Sequence, residues 1–235
     1  MEIISLRSSC EHVKSSDRWS LTMEMELYMK IISKVLGSVS TNCYIIKNEK
    51  TNEAVIIDPA SDEQEIREMM MEHDCKPVAI LLTHGHFDHI LAADDLRKRF
   101  QIPVIANKME DQVLQDRNTN LSTWYNLDIV LKADQFVDDL ECLDLAGFKI
   151  QAIHTPGHTI GSSCYYFPEE KELFSGDTLF TESVGRTDFP TGSSSAIVHS
   201  VKEKLMLLPD ETQVHPGHGP STTIRNEKQF NPYCQ

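Results

Sequence analysis

Four side chains of the kinds that bind metal ions lie close together near the middle of the sequence. They are His84, His86, Asp88 and His89, and they follow directly after an apolar run at 78–82. If the chain stays extended beyond that run, His84 and His86 point the same way, because side chains in extended backbone alternate with a period of two. Asp88 and His89 come where the next helix begins, so they face another direction. The spacing therefore predicts that the first pair binds one ion and that the second pair suits another ion nearby.

The chemistry of this cluster is that of an open metal site. Imidazole and carboxylate groups are ligands of Zn²⁺, iron and manganese, and the cluster contains no cysteine. We therefore expect a catalytic site that is open to water rather than a closed structural site. A polar loop with four solvated side chains is the alternative interpretation, but chance clustering of this density is rare.

Three more candidate ligands occur downstream, each in a Gly- or Pro-containing turn after a predicted strand. They are His158, Asp177 and His218. Turns at the ends of strands are where binding and catalytic residues are usually assembled. Taken alone, each of these residues is more often structural. Their occurrence in order with the first cluster indicates one shared site.

Alternating strands and helices must position these residues. Strands are predicted at 42–46, 54–57, 78–82, 103–106, 148–153, 163–167, 172–175 and 213–215, and helices at 63–73, 89–100 and 194–208. The first helix places Ile66, Met69 and Met70 on one apolar stripe that must be buried. Residues 108–145 are polar and irregular, which is typical of loops around a binding site. The alternation is typical of layered α/β or α+β domains.

The composition excludes several classes of protein. The chain has 235 residues, 40% of them hydrophobic, which is ample for a buried core. Its formal net charge of −14 argues against a surface built to bind nucleic acid or anionic membranes. The six cysteines form no CxxC pair and are interpreted as reduced thiols, and no apolar run reaches the roughly 18 residues of a membrane helix, so we expect a cytoplasmic protein. Residues 1–28 lack a secretory signal, and we expect a poorly ordered extension before a domain at 29–235.

Five motifs in combination resemble the metallo-β-lactamase superfamily, and within it the small, single-domain glyoxalase II-like (hydroxyacylglutathione hydrolase-like) branch. They are HxHxDH at 84–89, TPGHT at 155–159, SGDTLF at 175–180, VGRTD at 184–188 and PGHG at 216–219, with Asn231-Pro232 near the end. The resemblance covers nearly the whole chain from Met29 onward. It implies an αββα sandwich, in which two mixed sheets lie face to face with helices outside and metals at one sheet edge.

The resemblance also implies how the ligands are shared between two divalent ions. Metal one would be held by His84, His86 and His158, metal two by Asp88, His89 and His218, and Asp177 would bridge them. Zinc is the expected metal, with iron and manganese as alternatives. Two such ions can hold a hydroxide between them and polarise a carbonyl group. Asp88 is then the expected catalytic residue, which orients the hydroxide or carries a proton.

The activity that the resemblance implies is hydrolysis of a hydroxyacyl thioester, a small-molecule substrate of which S-lactoylglutathione is the best-known case. Full-length glyoxalase II enzymes grip glutathione with a C-terminal helical domain, whereas this chain ends 17 residues after His218, so those contacts cannot be carried over. Two alternatives stay open. One is a persulfide dioxygenase with a single iron at His84, His158 and Asp177, and the other is a non-catalytic metal-binding module. The PGHG segment favours the dinuclear hydrolase.

Several neighbouring residues have two interpretations each. His154 and His215 match no ligand position and are assigned to packing or hydrogen bonds at strand ends. Arg186 and Asp188 form either a salt bridge that pins their loop or a substrate contact, and we favour the salt bridge. The isolated aromatic residues are either walls of a pocket or parts of the core: Trp124, Tyr125, Phe180 and Phe189.

Overall fold

Apolar strands build two six-stranded sheets that pack face to face in the computed structural model, which describes residues 28–234. The predicted sandwich of two mixed sheets flanked by helices is confirmed. The extension expected at 1–28 lies, apart from Tyr28, outside the described residues.

The first sheet is antiparallel on one side and parallel on the other. Its strands, in spatial order, are β1 (Met29–Leu36), β2 (Thr41–Asn48), β3 (Glu53–Ile57), β4 (Lys76–Leu81), β5 (Val104–Asn107) and β6 (Gln135–Val137). The pairs from β1 to β3 are antiparallel. The pairs from β3 to β6 are parallel.

The second sheet is also mixed. Its spatial order is β14 (Thr222–Thr223), β13 (Gln213–Pro216), β10 (Glu172–Gly176), β9 (Ser163–Phe167), β8 (Phe148–His154) and β7 (Cys142–Leu145). Only the pairing of β10 with β13 is parallel among these strands. A short ribbon of β11 (Leu179–Phe180) and β12 (Ser183–Val184) follows the loop after β10.

Helices cover the outer faces of both sheets. They are α1 (Glu63–Glu72), α2 (Phe87–Ile90), α3 (Ala93–Phe100), α4 (Asp111–Leu114), α5 (Ser194–Glu203) and α6 (Ile224–Phe230). Short 3-10 turns at Lys108–Glu110, Ser122–Tyr125 and Leu205–Leu207 complete the fold. Residues 108–145 are therefore less irregular than the sequence indicated, and α6 was not predicted.

Alternate residues of each strand serve different cores, because successive side chains point to opposite faces. In β3, Val55 and Ile57 belong to the core between the sheets, together with Phe174 of β10. Ile56 belongs instead to an outer core with Ile66 of α1. A third core lies beneath α5 and α6 on the other side. These strands are buried on both faces, which explains their nearly continuous apolar sequences.

The predicted helix at 89–100 is two helices, and this prediction was wrong in its continuity. The N–H of Ala92 donates to the carbonyl of Pro59 at 3.0 Å, which is outside the helix. The short helix α2 therefore ends before α3 begins. The predicted helix at 194–208 likewise stops early, because Lys204 leaves the helical region at φ −123° and ψ −60°. Its ammonium group contacts the carbonyl of His154 at 2.6 Å.

The loops that carry the candidate ligands follow β4, β8, β10 and β13 and meet at one edge of the sandwich. The N–H of Ser163 donates to the carbonyl of Thr83 across the two sheets, at 2.8 Å. The N–H of Gly217 donates to the carbonyl of Gly176, also at 2.8 Å. The fold thus brings four separate chain segments to one place.

One of the described cysteines differs from the predicted reduced state. Cys43, Cys75, Cys164 and Cys234 carry free thiols, as expected. Cys142 is disulfide-bonded, so the interpretation of all six as reduced thiols is wrong for this residue. Between residues 28 and 234, none of the helices is both long enough and apolar enough to cross a membrane.

Candidate metal centre

The structure brings all seven candidate ligands into one cluster. Ligand atoms of His84, His86 and His158 lie within 4.8 Å of one another, and those of Asp88, His89 and His218 do the same. The strand β4 delivers the first two histidines, whereas the helix α2 turns Asp88 and His89 toward a separate group. The rings of His84 and His89 are 4.1 Å apart between centroids, so the two groups adjoin. Their binding of metal stays a prediction.

Asp177 lies between the two groups. Its Oδ2 atom is 3.5 Å from Nε2 of His158 in the first group and 3.6 Å from Nε2 of His218 in the second. Its Oδ1 atom is 3.5 Å from Nε2 of His89. One carboxylate therefore faces nitrogen atoms of both groups.

The donor atoms fit divalent cations. The Nε2 atoms of His84, His86 and His89 and the Oδ1 atom of Asp177 are buried and have no hydrogen-bond partner among residues 28–234. Buried polar atoms are normally paired, because an unpaired one loses its hydration without compensation. Nitrogen and carboxylate donors that converge in this way are suited to zinc, iron or manganese.

Backbone hydrogen bonds on Nδ1 orient the rings of two histidines so that Nε2 faces the cluster. The Nδ1–H of His158 donates to the carbonyl of Arg186 at 2.8 Å, and that of His218 donates to the carbonyl of Ser40 at 3.2 Å. A neutral imidazole that donates from Nδ1 carries its lone pair on Nε2. In a neutral ring, the backbone thus favours the tautomer that can bind metal through Nε2. Without metal, Nε2 of His158 lies 2.9 Å from Nδ1 of His86, and Nε2 of His218 lies 3.3 Å from Oδ2 of Asp88, so a metal would replace these contacts.

The protonation of the histidines differs between the two groups. Burial holds the pKa of His84 and His86 well below the usual value, so both are neutral and ready to bind metal. Burial would also lower the pKa of His89, but the charges of Asp88, Asp177 and Asp58 raise it to about 10. Without metal, His89 therefore carries a proton that neutralises part of the carboxylate charge.

Asp88 is held as an ionised carboxylate. Burial alone would raise its pKa, but the charge of His89 and hydrogen bonds with His218 and Thr41 bring it well below the usual value. The Thr41 hydroxyl donates to Oδ2 at 2.7 Å, and Nε2 of His218 is 3.3 Å from the same oxygen. Asp88 also lines the cleft, so its carboxylate is accessible to a substrate or to water.

Asp58 is a functional residue that sequence reasoning missed. It is buried directly after β3, and its Oδ2 atom accepts hydrogen bonds from Nδ1 of His89 at 2.8 Å and from the Thr83 hydroxyl at 2.6 Å. Since that hydroxyl donates to Asp58, it accepts from Nδ1 of His84 at 3.1 Å. Asp58 therefore orients one histidine of each group, a role that partners of ligating histidines commonly have. The available signal was an acidic residue at the end of a buried strand.

Glu110 is the second residue that the sequence did not reveal. Its side chain is almost fully buried at 1% exposure, and burial raises its pKa to about 7 although three hydrogen bonds oppose that shift. Its Oε1 atom accepts from the N–H of Gly85 at 2.7 Å. Its Oε2 atom accepts from the Thr159 hydroxyl at 2.9 Å and from the N–H of Gly161 at 2.8 Å. Glu110 thus joins the loop of His84 and His86 to the loop of His158.

A cleft of about 560 Å³ opens beside the cluster. Trp124, Tyr125, Phe180 and Phe189 all line it, so of the two interpretations the structure favours walls of a pocket over parts of the core. Arg186 and Asp188 form the predicted salt bridge, with contacts of 2.7 Å and 2.6 Å, and Arg186 also lines the cleft.

The two remaining histidines of the motifs lie outside the cluster. Nε2 of His154 is 2.9 Å from the carbonyl of Ile160, and Nε2 of His215 is 2.6 Å from the Glu172 carboxylate. Both make hydrogen bonds at strand ends, as predicted.

The sequence of this chain is similar to those of known proteins. Residues 36–218 match the sequence pattern of the metallo-beta-lactamase superfamily. The probable metallo-hydrolase YqgX of Bacillus subtilis is 35% identical over 200 residues, which cover 84% of this chain and 94% of that protein. The hydroxyacylglutathione hydrolase GloC of Haemophilus influenzae is 35% identical over 195 residues, which cover 82% of this chain and 92% of that protein.

The fold of this chain is similar to those of solved structures. The BLEG-1 B3 metallo-beta-lactamase has a TM-score of 0.83 and 39% identity, covering 88% of this chain and 100% of that chain. TTHA1623 in a di-iron-bound form has a TM-score of 0.76 and 33% identity, covering 86% and 99%. ETHE1 from Myxococcus xanthus has a TM-score of 0.72 and 32% identity, covering 87% and 84%. The family match at residues 36–218 includes every segment that carries a candidate ligand.

Proposed function

This chain belongs to the metallo-β-lactamase superfamily, and on that premise we propose that it is a metal-dependent hydrolase that cleaves hydroxyacyl thioesters of the S-lactoylglutathione type. The similarity to a hydroxyacylglutathione hydrolase from Haemophilus influenzae supports the substrate class. The substrate is a small molecule bound in the cleft. We propose that the protein acts in the cytoplasm, and its net charge of −14 is in keeping with a protein that binds neither nucleic acid nor an anionic membrane.

In this proposal, the residues of the cluster hold two divalent ions, zinc above all. One ion would be held by His84, His86 and His158 and the other by Asp88, His89 and His218, and Asp177 would contribute to both. Two such ions lower the pKa of water and polarise a substrate carbonyl. Asp88 acts as the catalytic residue, because its ionised carboxylate lines the cleft and can accept a hydrogen bond from the attacking water.

The position of Asp177 supports the dinuclear arrangement most directly. A dinuclear centre needs a ligand that reaches both ions, and Asp177 lies 3.5 Å from Nε2 of both His158 and His89. The di-iron form of the related TTHA1623 is consistent with two ions in such a chain. A non-catalytic metal-binding module would not need the substrate-sized cleft beside this carboxylate.

The test combines metal analysis with a substrate panel. We expect about two metal ions per chain and cleavage of S-lactoylglutathione faster than that of a β-lactam or a phosphodiester. Asp177→Ala is expected to lose both metal and activity, whereas Asp128→Ala at an exposed position should keep both. Preferred cleavage of the β-lactam, or a fully metal-loaded and active Asp177→Ala variant, would refute the proposal.

A persulfide dioxygenase is the second candidate, because ETHE1 from Myxococcus xanthus is structurally similar. That activity would use one iron at His84, His158 and Asp177 and would consume oxygen. The complete second group of Asp88, His89 and His218 favours the hydrolase. Oxygen uptake with a glutathione persulfide, together with one tightly bound iron per chain, would establish the dioxygenase instead.

A further inference from the structure

We propose that the cleft prefers thioesters whose thiol arm is uncharged and aromatic over thioesters of glutathione. This inference rests on the thioester hydrolysis proposed above and identifies the part of the substrate that the cleft binds. Two independent features of the lining lead to it, namely a series of aromatic rings and the lack of an unpaired cationic side chain among the described residues.

The aromatic rings form a continuous series from the candidate metal ligands to the mouth of the cleft. Phe189 contacts His86, with ring centroids 5.5 Å apart, and Trp124 contacts Phe189 at 5.6 Å. Trp124 is 62% exposed at the outer end of this series. An arm that leaves the reacting carbonyl along this wall therefore passes over apolar ring faces, and a ring in that arm would stack or pack edge-on against them.

Other parts of the lining are apolar as well. Tyr125 packs against Phe87 with ring centroids 4.4 Å apart, and Phe180 lies 6.4 Å from the ring of His218. Val39 and Leu121 also line the cleft. The exposed rings of Trp124 and Tyr125 cost free energy in water unless a ligand covers them. These contacts favour an apolar arm over a hydrated peptide.

The charged side chains of the cleft also favour an uncharged thiol arm. Of the described residues that line it, Arg186 is the one permanently charged side chain besides the candidate ligands Asp88 and Asp177. Its guanidinium makes two hydrogen bonds with Asp188 and lies 4.0 Å above the Phe189 ring. Glutathione carries two carboxylates and one ammonium group, and bringing them against a wall that offers no unpaired cationic side chain loses hydration that the wall does not replace. A neutral arm has no such penalty.

The experiment holds the acyl group constant and varies the thiol. Lactoyl thioesters of glutathione, N-acetylcysteamine and benzyl mercaptan are compared on the metal-loaded protein by kcat/KM. The first two differ in charge, and the last two differ in the aromatic ring. We expect kcat/KM for the benzyl thioester to exceed that for the N-acetylcysteamine thioester by about tenfold, the scale of a buried ring contact. We expect the glutathione thioester to have the lowest value.

Variants assign these differences to the lining. Trp124→Ala should remove most of the ratio between the benzyl and N-acetylcysteamine thioesters, mainly through KM, and Trp124→Phe should restore part of it. Phe230→Ala removes a comparably exposed ring outside the cleft and should leave the kcat/KM ratios among the three thioesters unchanged. Arg186→Met should not raise KM for the glutathione thioester selectively.

The two proposals fail in different ways. If none of the three thioesters is hydrolysed, the proposed function itself is wrong. If the glutathione thioester has the highest kcat/KM and Arg186→Met raises its KM alone, then Arg186 binds a substrate carboxylate and the preference for a neutral arm is refuted. If the ratio of kcat/KM between the benzyl and N-acetylcysteamine thioesters is the same in Trp124→Ala and Phe230→Ala, the aromatic wall is excluded as the binding surface.

Discussion

The carboxylate of Asp58 accepts a 2.8 Å hydrogen bond from Nδ1 of His89. This bond leaves the Nε2 lone pair of a neutral His89 directed toward the candidate metal centre. The same carboxylate accepts from the Thr83 hydroxyl, which in turn accepts from Nδ1 of His84. One buried acid therefore selects the tautomer of a histidine in each of the two groups.

Replacing Asp58 should therefore weaken metal binding at both groups. In Asp58→Asn, the amide nitrogen faces Nδ1 of His89, which must then accept, so the proton moves to Nε2 and blocks the metal. We expect metal affinity to fall about 10- to 100-fold, as is typical for partners of ligating histidines. Chelator competition measures this loss, and Thr83→Val should weaken only the group of His84. Unchanged affinity in Asp58→Asn would exclude this role.

The sequence predicted the elements that carry the ligands better than the residues that support them. The block from His84 to His89 stands out because ligand types cluster in six residues after an apolar strand. Asp58 and Glu110 act through hydrogen bonds to residues 25 or more positions away in the sequence. The residues next to them in the sequence do not predict these hydrogen bonds. The break between α2 and α3 likewise depends on the hydrogen bond from Ala92 to Pro59, a residue that is distant in the sequence.

Glu110 should contribute both to stability and to the geometry of the first ligand group. In Glu110→Gln, the amide nitrogen must face the N–H of either Gly85 or Gly161, because each carboxylate oxygen accepts one of these. A buried donor then loses its partner, which costs about 1–3 kcal/mol. Chemical denaturation of the metal-free protein should show this decrease, and Glu169→Gln at an exposed position should not. Equal stability of the two variants would contradict the role.

Metal binding should release protons, because the pKa of His89 is raised to about 10 by three carboxylates that outweigh its burial. Below that pH, a metal must displace a proton from His89, so affinity should rise about tenfold per pH unit between pH 7 and 9 from this group alone. Calorimetry in buffers of different ionisation enthalpy counts the protons.

The raised pKa of His89 also stabilises the metal-free fold. That contribution is fully present below pH 6.5 and is lost as the pH rises through about 10, because the folded state holds the proton more tightly than the unfolded state. Metal affinity that does not change between pH 7 and 9 would show that His89 is already neutral.

Gly217 should be required for the position of Asp177. A Cβ atom at this residue would lie 2.3 Å from Oδ1 of Asp177 and 2.7 Å from Cε1 of His89, so Gly217→Ala must displace one of them. We expect loss of metal and of hydrolysis with the fold retained. Gly219→Ala is the matched control two residues away, because its added Cβ meets nothing within 4 Å and its positive φ of 76° costs only about 1 kcal/mol of backbone strain. Metal content should separate the variants, and equal loss in both would trace the effect to the loop rather than to Asp177.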